Sequence, residues 1–199
     1  MNFDIAIFYR DDTPEELILG LAKELRDADL NVESEQRSNE PVAAFEWVLP
    51  AVVIFIASQY AGGLAKEAAK EHYPIIKAIV SKYATKLLGI KQTTLVSSHS
   101  RNKLQASSPI SSSFAIWSEA LDGRSIKFLF LSDRDKDFYD NCADEAFKTL
   151  LNHAQDYPKD DILKQLEGIQ MPHNEIYMVF DESLKVWKVV DNPATLLGG

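Results

Sequence analysis

Residues 51–57 read Ala-Val-Val-Ile-Phe-Ile-Ala and carry the strongest strand signal in the chain. Five consecutive apolar side chains, Val52 to Ile56, predict a strand buried on both faces, as central strands of parallel sheets are. Residues 3–8 form a second short apolar run and predict another central strand. The fold is therefore expected to be built around these two strands.

The residues between the two runs predict a helix and an edge strand. Thr13 can cap a helix, Pro14 suits its first position, and Glu16 can complete a capping box. Leucines recur every four residues from 17 to 25, which gives the helix one core-facing side. Residues 31–36 are polar and alternating, as in a short strand near a sheet edge. A brief helical turn is expected around residues 41–47. The resulting order of strand, helix, strand, helix, strand is the pattern of a parallel sheet with right-handed crossovers.

A change of pattern divides the chain into two parts. A long helical stretch ends near residue 88, and Pro74 within it predicts a kink or two helices. Residues 97–113 contain eight serines among seventeen residues and predict a loop. Residues 1–96 are expected to form a βαβαβα part, and residues 114–199 a ββαββ extension with antiparallel hairpins and one helix. The expected fold is α/β in the first half and α+β in the second, packed as one domain.

Composition and charge restrict the function classes. The 199 residues include 30 acidic and 21 basic side chains, and the net charge of −9 repels nucleic-acid backbones and anionic membranes. Cys142 is the single cysteine, and the N-terminus lacks the features of a secretory signal, so a cytoplasmic location is expected. Cys142 falls on the apolar side of its predicted helix without a nearby basic residue to activate it, so it is expected to be a core residue. No residues have metal-site spacing, so no metal is predicted. The expected partner is a protein or a second copy of this chain.

Polar residues follow both strong strands and predict a binding site. Ligands of parallel α/β sheets bind beyond the carboxyl ends of the strands. Glycines before a helix also let an anion approach free backbone N–H groups, although Gly-Gly can be a plain strand-to-helix joint. Two groups of residues occupy these positions: Arg10 and Asp11 after the first strand, and Ser58, Tyr60, Gly62 and Gly63 after the third.

Two segments resemble the Toll/interleukin-receptor (TIR) family within about the first 75 residues. F-D-I-A-I-F-Y-R-D-D, residues 3–12, is similar to the first strand and loop of TIR domains. V-V-I-F-I-A-S-Q-Y-A, residues 52–61, resembles the family's strand that ends in Ser-x-x-Tyr-Ala. The resemblance implies a flavodoxin/TIR-like parallel sheet and a signalling or effector role through self- or partner assembly. Because enzymatic members cleave NAD, it also implies NAD as a substrate, and no further cofactor is predicted.

The resemblance also implies roles for individual residues. Arg10 and Ser58 would contact the nucleotide, and Glu67 or Glu71 would stabilise the cationic ribose as the bond breaks. The family usually places Trp or Cys between the strand exit and its glutamate, whereas this chain has Gly-Gly-Leu-Ala at 62–65 and neither glutamate has the usual spacing. The residues alone allow two interpretations of this glutamate pair: a cleft-lining face with one raised pKa, or a solvated face beside lysines.

A non-enzymatic alternative is also open. The acidic charge suits an inhibitor or immunity-type interaction module that meets a basic partner. The antiparallel hairpins of the second half favour this alternative, because a minimal TIR domain lacks them. A glutamate buried in a pocket near Arg10 would indicate NAD hydrolysis. An exposed aromatic patch ringed by acidic residues would indicate binding.

Overall fold

The computed structural model of the chain describes residues 3–37, 50–57, 69–88, 110–169 and 174–191. The helical turn expected around residues 41–47 lies outside them. The described ranges contain seven strands and four helices. In chain order they are β1 (Ile5–Arg10), α1 (Glu15–Asp27), β2 (Val32–Arg37), β3 (Val52–Ile56), α2 (Ala69–Leu88), β4 (Ile110–Glu119), β5 (Ser125–Leu131), α3 (Lys136–Asp156), α4 (Asp161–Leu166), β6 (Glu175–Asp181) and β7 (Val186–Val190).

The first helix forms where its leucine periodicity predicts it, but it begins differently. Its buried side is Ile18, Leu21, Ala22 and Leu25. The capping-box prediction is wrong: Pro14 occupies the cap position, and no side chain bonds the first free N–H groups. The Thr13 hydroxyl instead lies 3.4 Å from the carbonyl oxygen of Ala51, at the start of β3. The Thr13 side chain therefore contacts the neighbouring strand instead of capping α1.

All seven strands belong to one mixed sheet, so the prediction of an α/β protein is confirmed. The strand order is β2-β1-β3-β4-β5-β6-β7. Three neighbouring pairs are parallel, namely β1–β2, β3–β4 and β5–β6, and each is joined through helices. The other three pairs are antiparallel, namely β1–β3, β4–β5 and β6–β7. The two predicted hairpins and the predicted edge position of β2 are therefore confirmed.

The prediction that the first half forms a parallel sheet is wrong for β3. Ile5 lies opposite Ile56 and Tyr9 opposite Val52, so β3 runs against β1. The order β2-β1-β3-β4-β5 is that of flavodoxin-like sheets, but those sheets have all their strands in one direction. An apolar run predicts that a strand is buried and carries no information on its direction. The chain therefore belongs to the α/β class, as flavodoxin-like proteins do, but its sheet is mixed rather than parallel.

Two further boundaries differ from the prediction. Strand β4 begins at Ile110, so residues 110–113 of the predicted serine-rich loop lie in the sheet, and the rest of that loop lies outside the described residues. The pairing register of β4 with β5 shifts between Ile110 and Ala115, so the start of β4 is irregular. The serines at 111–113 lie in this irregular part of the strand. Helix α2 continues through Pro74 as one helix, so the two-helix alternative is wrong.

All four described helices pack on the same face of the sheet. Alternate residues of the strands, such as Ile7, Ile54 and Phe128, join one apolar cluster with side chains from every described helix. The intervening residues point to the opposite face, on which no described helix lies; we name it the helix-free face. None of the described helices is long and apolar enough to cross a membrane.

Candidate functional site

Two of the predicted nucleotide-contacting residues, Arg10 and Asp11, lie at the carboxyl end of β1. The guanidinium of Arg10 donates to both carboxylate oxygens of Asp12, at 3.1 and 2.7 Å. Only 15% of the Arg10 side chain is exposed, whereas Asp11 is exposed. Asp12 therefore already balances the positive charge of Arg10, and an anionic ligand would have to compete with it.

The other predicted site residues lie outside what the structure describes. This applies to Ser58, Tyr60, Gly62, Gly63 and Glu67. Glu71 lies near the start of α2, but its side chain is outside the described part of the chain. The catalytic and cofactor-binding roles of these residues stay predictions.

The directions of β1 and β3 correct the expectation that their carboxyl ends form one site. Ile56 ends β3 beside Ile5, which begins β1. Arg10 ends β1 five residues further along, about 17 Å away at roughly 3.3 Å per residue. The two polar strand exits therefore start from opposite ends of the sheet. The expectation that Arg10 and Ser58 lie close together required β1 and β3 to run in the same direction. Because these two strands are antiparallel, that reason for a shared site does not apply.

The helix-free face carries a row of large side chains that the sequence pattern did not predict. Phe55, Trp117, Lys127 and Tyr177 are successive cross-strand partners on β3, β4, β5 and β6. We name these four residues the aromatic row. Each occupies an alternate position of its own strand, which a sequence can indicate, but their adjacency depends on strand register. Phe55, Trp117 and Lys127 are half-buried, and Tyr177 is 9% exposed.

Lys127 is held at the centre of the aromatic row. Its Nζ lies 4.4 Å from the ring centroid of Trp117 and 5.6 Å from that of Tyr177. It also pairs with Glu175, which accepts a hydrogen bond from the Tyr177 hydroxyl. Only 14% of the Lys127 side chain and 26% of the Glu175 side chain are exposed. Ring faces and a carboxylate together fix this cation in place, which favours a preorganised binding surface.

The Tyr177 hydroxyl is suited to hydrogen bonding rather than to proton transfer near neutral pH. Burial, and then the hydrogen bond to Glu175, raise the pKa of Tyr177 well above its ordinary value. Its hydroxyl is therefore protonated at neutral pH and acts as a donor. The indole Nε1 of Trp117 is buried, and it has no hydrogen-bond partner among the residues that the structure describes. Within the described ranges, no group of three or more His, Cys, Asp or Glu could hold a metal ion.

Phenylalanines and acidic side chains extend the helix-free face toward β2. Phe8 and Phe55 meet edge to face, with ring centroids 6.4 Å apart. Arg37 lies over the Phe8 ring at 4.0 Å. Glu33 and Glu35 are the cross-strand partners of Ala6 and Phe8, so their exposed carboxylates lie on this same face. We name Glu33 and Glu35 the acidic edge.

Cys142 is excluded as a reactive group, as the sequence predicted. Its side chain is fully buried in the helix-covered core. Burial raises the pKa of the thiol, mainly because the thiolate would lose its hydration. The indole of Trp187 donates to the Cys142 carbonyl oxygen at 3.1 Å, so both residues contribute to the packing of α3 against the sheet.

The candidate site is thus the helix-free face, with the aromatic row at its centre and the acidic edge at its border. Comparisons with family models, with curated proteins and with solved structures gave no significant match. The geometry of this face is therefore the basis for inferring a function.

Proposed function

We propose that the chain is an acidic protein-interaction module, of the inhibitor or immunity type, that binds a basic partner protein through the helix-free face. The observation that carries the proposal is the aromatic row on a face without a described helix. Half-buried aromatic side chains held in fixed positions are the common anchors of protein interfaces. Lys127 and Glu175 add fixed polar groups beside those anchors.

Charge supports a basic partner. The chain carries a net charge of −9, and two of its exposed carboxylates, those of Glu33 and Glu35, lie on the helix-free face beside Ala6 and Phe8. Opposite charges at the border of an interface accelerate encounter and reject partners of the same sign. Binding is therefore expected to weaken as salt is added, because exposed charges are screened over about 8 Å at physiological ionic strength.

The enzymatic alternative draws less support from the described residues. It requires Arg10 to share a site with Ser58 and a glutamate of the following helix, whereas β1 and β3 end at opposite ends of the sheet. Arg10 is also paired with Asp12. The TIR-like effector activity and its NAD hydrolysis stay predictions that a turnover assay tests separately.

The proposal is tested by using the full chain and two sets of variants as bait and by comparing the proteins that each of them retains. Phe55→Ala and Trp117→Ala shorten anchors on the helix-free face. Leu19→Ala is the control, because it shortens a side chain of α1 that is 58% exposed. Circular dichroism and thermal unfolding establish that each variant folds before its bound proteins are quantified by mass spectrometry.

The expected result is one or more basic proteins retained by the wild type and by Leu19→Ala but lost from the two anchor variants. Their retention should fall between 50 and 500 mM salt, a range chosen to span about a threefold change in screening length. Equal retention of the same proteins by all variants would show that the helix-free face is not the binding surface.

A further inference from the structure

The two edges of the sheet differ in how their outer backbone groups are bonded. On β7, the side-chain amide of Gln165 accepts from the N–H of Val189 at 2.9 Å and donates to the carbonyl of Trp187 at 3.3 Å. These two residues are two apart, so their backbone groups point to the same side of the strand. Gln165 thus takes the position that a peptide group of a further strand would occupy. The β7 edge is closed at its centre.

The bonding of β2 shows which of its backbone groups face outward. The carbonyl of Asn31 accepts from the N–H groups of Asp4 and Ile5, at 2.9 and 3.3 Å, so it faces β1. The next carbonyl, that of Val32, points the other way and accepts from the Arg26 guanidinium at 3.0 Å. Because backbone groups alternate along a strand, those of Ser34 and Gln36 also face outward.

The outer side of β2 is accessible beyond the point that Arg26 covers. Side chains 33–36 are all exposed, and among the described strands none pairs with the outer side of β2. Five residues, 33–37, span about 17 Å, which matches the usual length of a strand. Within the described ranges, the outward backbone groups of Ser34 and Gln36 have no hydrogen-bond partner, so this edge suits one short added strand.

The acidic edge determines which strand can be added there. In an antiparallel pair with a second copy of this chain, Glu33 and Glu35 would meet the same carboxylates of the other copy. Like charges directly opposite each other destabilise strand pairing. A strand with Lys or Arg at alternate positions would instead place each cation opposite or diagonal to a carboxylate.

We propose that the outer edge of β2 binds an extended basic segment of a partner protein as an added strand, with alternate Lys or Arg side chains facing Glu33 and Glu35. This inference rests on the proposed function, because it assumes that the partner is a basic protein. It specifies which part of the partner is recognised, an extended basic segment, and how it is recognised, by strand addition. Gln165 restricts such addition to the β2 edge.

The probe is the synthetic peptide acetyl-Thr-Lys-Thr-Lys-Thr-Lys-Thr-amide, titrated into the isotope-labelled full chain and followed by amide NMR shifts. We expect the largest shifts at Ser34 and Gln36, and none at Val189. The matched control peptide carries Glu in place of Lys and is expected not to bind. A second control is the Lys peptide N-methylated at alternate residues, which keeps the charges and removes the strand hydrogen bonds; we expect it to bind at least tenfold more weakly.

Two protein variants separate charge from backbone pairing. Glu33→Gln together with Glu35→Gln should weaken binding of the Lys peptide about 2- to 30-fold, the range expected for two cross-strand charge pairs. Ser34→Pro removes an outward N–H group and should weaken it as well. Undiminished binding of the N-methylated peptide would overturn strand addition without depending on whether Ser34→Pro folds.

The outcome also distinguishes this inference from the proposed function. If a captured partner is lost from Trp117→Ala but binds Glu33→Gln/Glu35→Gln and Ser34→Pro as tightly as the wild type, the β2 edge is not its site. The interaction-module function then stands, and the strand-addition inference fails. Shifts of the Lys peptide confined to the aromatic row would likewise exclude the β2 edge.

Discussion

At the scale of single residues, His153 and Asp160 join three elements of the second half. Their side chains are 4% and 1% exposed. His153 Nε2 accepts from the N–H of Leu121 at 3.1 Å, and its Nδ1 lies 3.0 Å from Asp160 Oδ1 without the alignment of a hydrogen bond. The same Asp160 oxygen caps α4 by accepting from the N–H groups of Ile162 and Leu163. This buried pair has a structural role.

Substitution of Asp160 tests that role. Asp160→Ala removes the cap and leaves two N–H groups without an acceptor, so the free energy of unfolding should fall by about 1–3 kcal/mol. Asp160→Asn keeps an acceptor oxygen and should cost less. Urea denaturation of both variants measures the difference. Equal losses would show that the bonds to α4 are not what Asp160 contributes.

The burial of a single residue can be predicted from sequence when the apolar periodicity of its own helix or strand is sufficient. Cys142 falls on the apolar side of a helix and is buried, as predicted. The aromatic row is not predictable in the same way, since Trp117, Lys127 and Tyr177 become neighbours only through the registers of three strands. Arg10 is a third case: the sequence predicts its position at a strand end but not its pairing with Asp12.

At the scale of elements, α2 and α3 are joined by a polar cluster around Asp144. Asp144 accepts from the Tyr73 hydroxyl at 3.1 Å and pairs with Lys77 and Lys148 at 2.6 and 2.9 Å. Burial acts to raise the pKa of Asp144, but hydrogen bonds from Lys77, Lys148 and Tyr73 outweigh it and hold the pKa below its ordinary value of 3.8. The charged form of Asp144 therefore stabilises the folded state.

This cluster predicts a particular dependence of stability on pH. A carboxylate with a lowered pKa in the folded state contributes its full stability above its unfolded pKa, which is about 4. That contribution is lost as the pH falls below about 4 and through the lowered pKa. Wild type should therefore be more stable than Asp144→Asn at pH 7, and the two should converge at low pH. Chemical denaturation from pH 7 to pH 2 measures this, and curves that stay parallel would contradict it.

Gln165 gives a prediction for the β7 edge. Gln165→Ala leaves the outward N–H of Val189 and carbonyl of Trp187 without their side-chain partner. The opened edge can then pair with another chain, so we expect self-association that increases with protein concentration. Analytical ultracentrifugation compares it with Gln165→Glu, which keeps an acceptor for Val189. A monomeric Gln165→Ala with unchanged amide exchange at Val189 would show that Gln165 does not close this edge.

The elements themselves are largely predictable from the sequence, but their directions are not. Strand β3 and helix α1 follow from runs and periodicities that lie within each element. The direction of β3 depends on how the chain returns from β2, and an apolar run such as Val52 to Ile56 suits either direction. An apolar run also does not reveal which elements cover its two faces; the helices in the described ranges all lie on one of them. Val53 points to the opposite face, between its cross-strand partners Phe8 and Ala115, and is 2% exposed.

At the scale of the whole molecule, the proposed function predicts no NAD hydrolysis. The full chain is assayed at high protein concentration, because an assembling domain can be inactive when dilute. We expect no turnover above buffer, and no difference between wild type, Glu67→Gln and Glu71→Gln. Clear wild-type turnover that one glutamine variant abolishes would favour the TIR-like enzymatic alternative and identify its glutamate.

The preference for a binding function over NAD hydrolysis depends on the opposite directions of β1 and β3, which separate Arg10 from the exit of β3. Nuclear Overhauser contacts between side-chain methyl groups test this directly. In the antiparallel pair, Ile5 lies opposite Ile56, and Val52 is four residues away along the strand, about 13 Å. We therefore predict a strong Ile5–Ile56 contact and none between Ile5 and Val52. A strong Ile5–Val52 contact without the Ile5–Ile56 contact would establish parallel strands and contradict this arrangement.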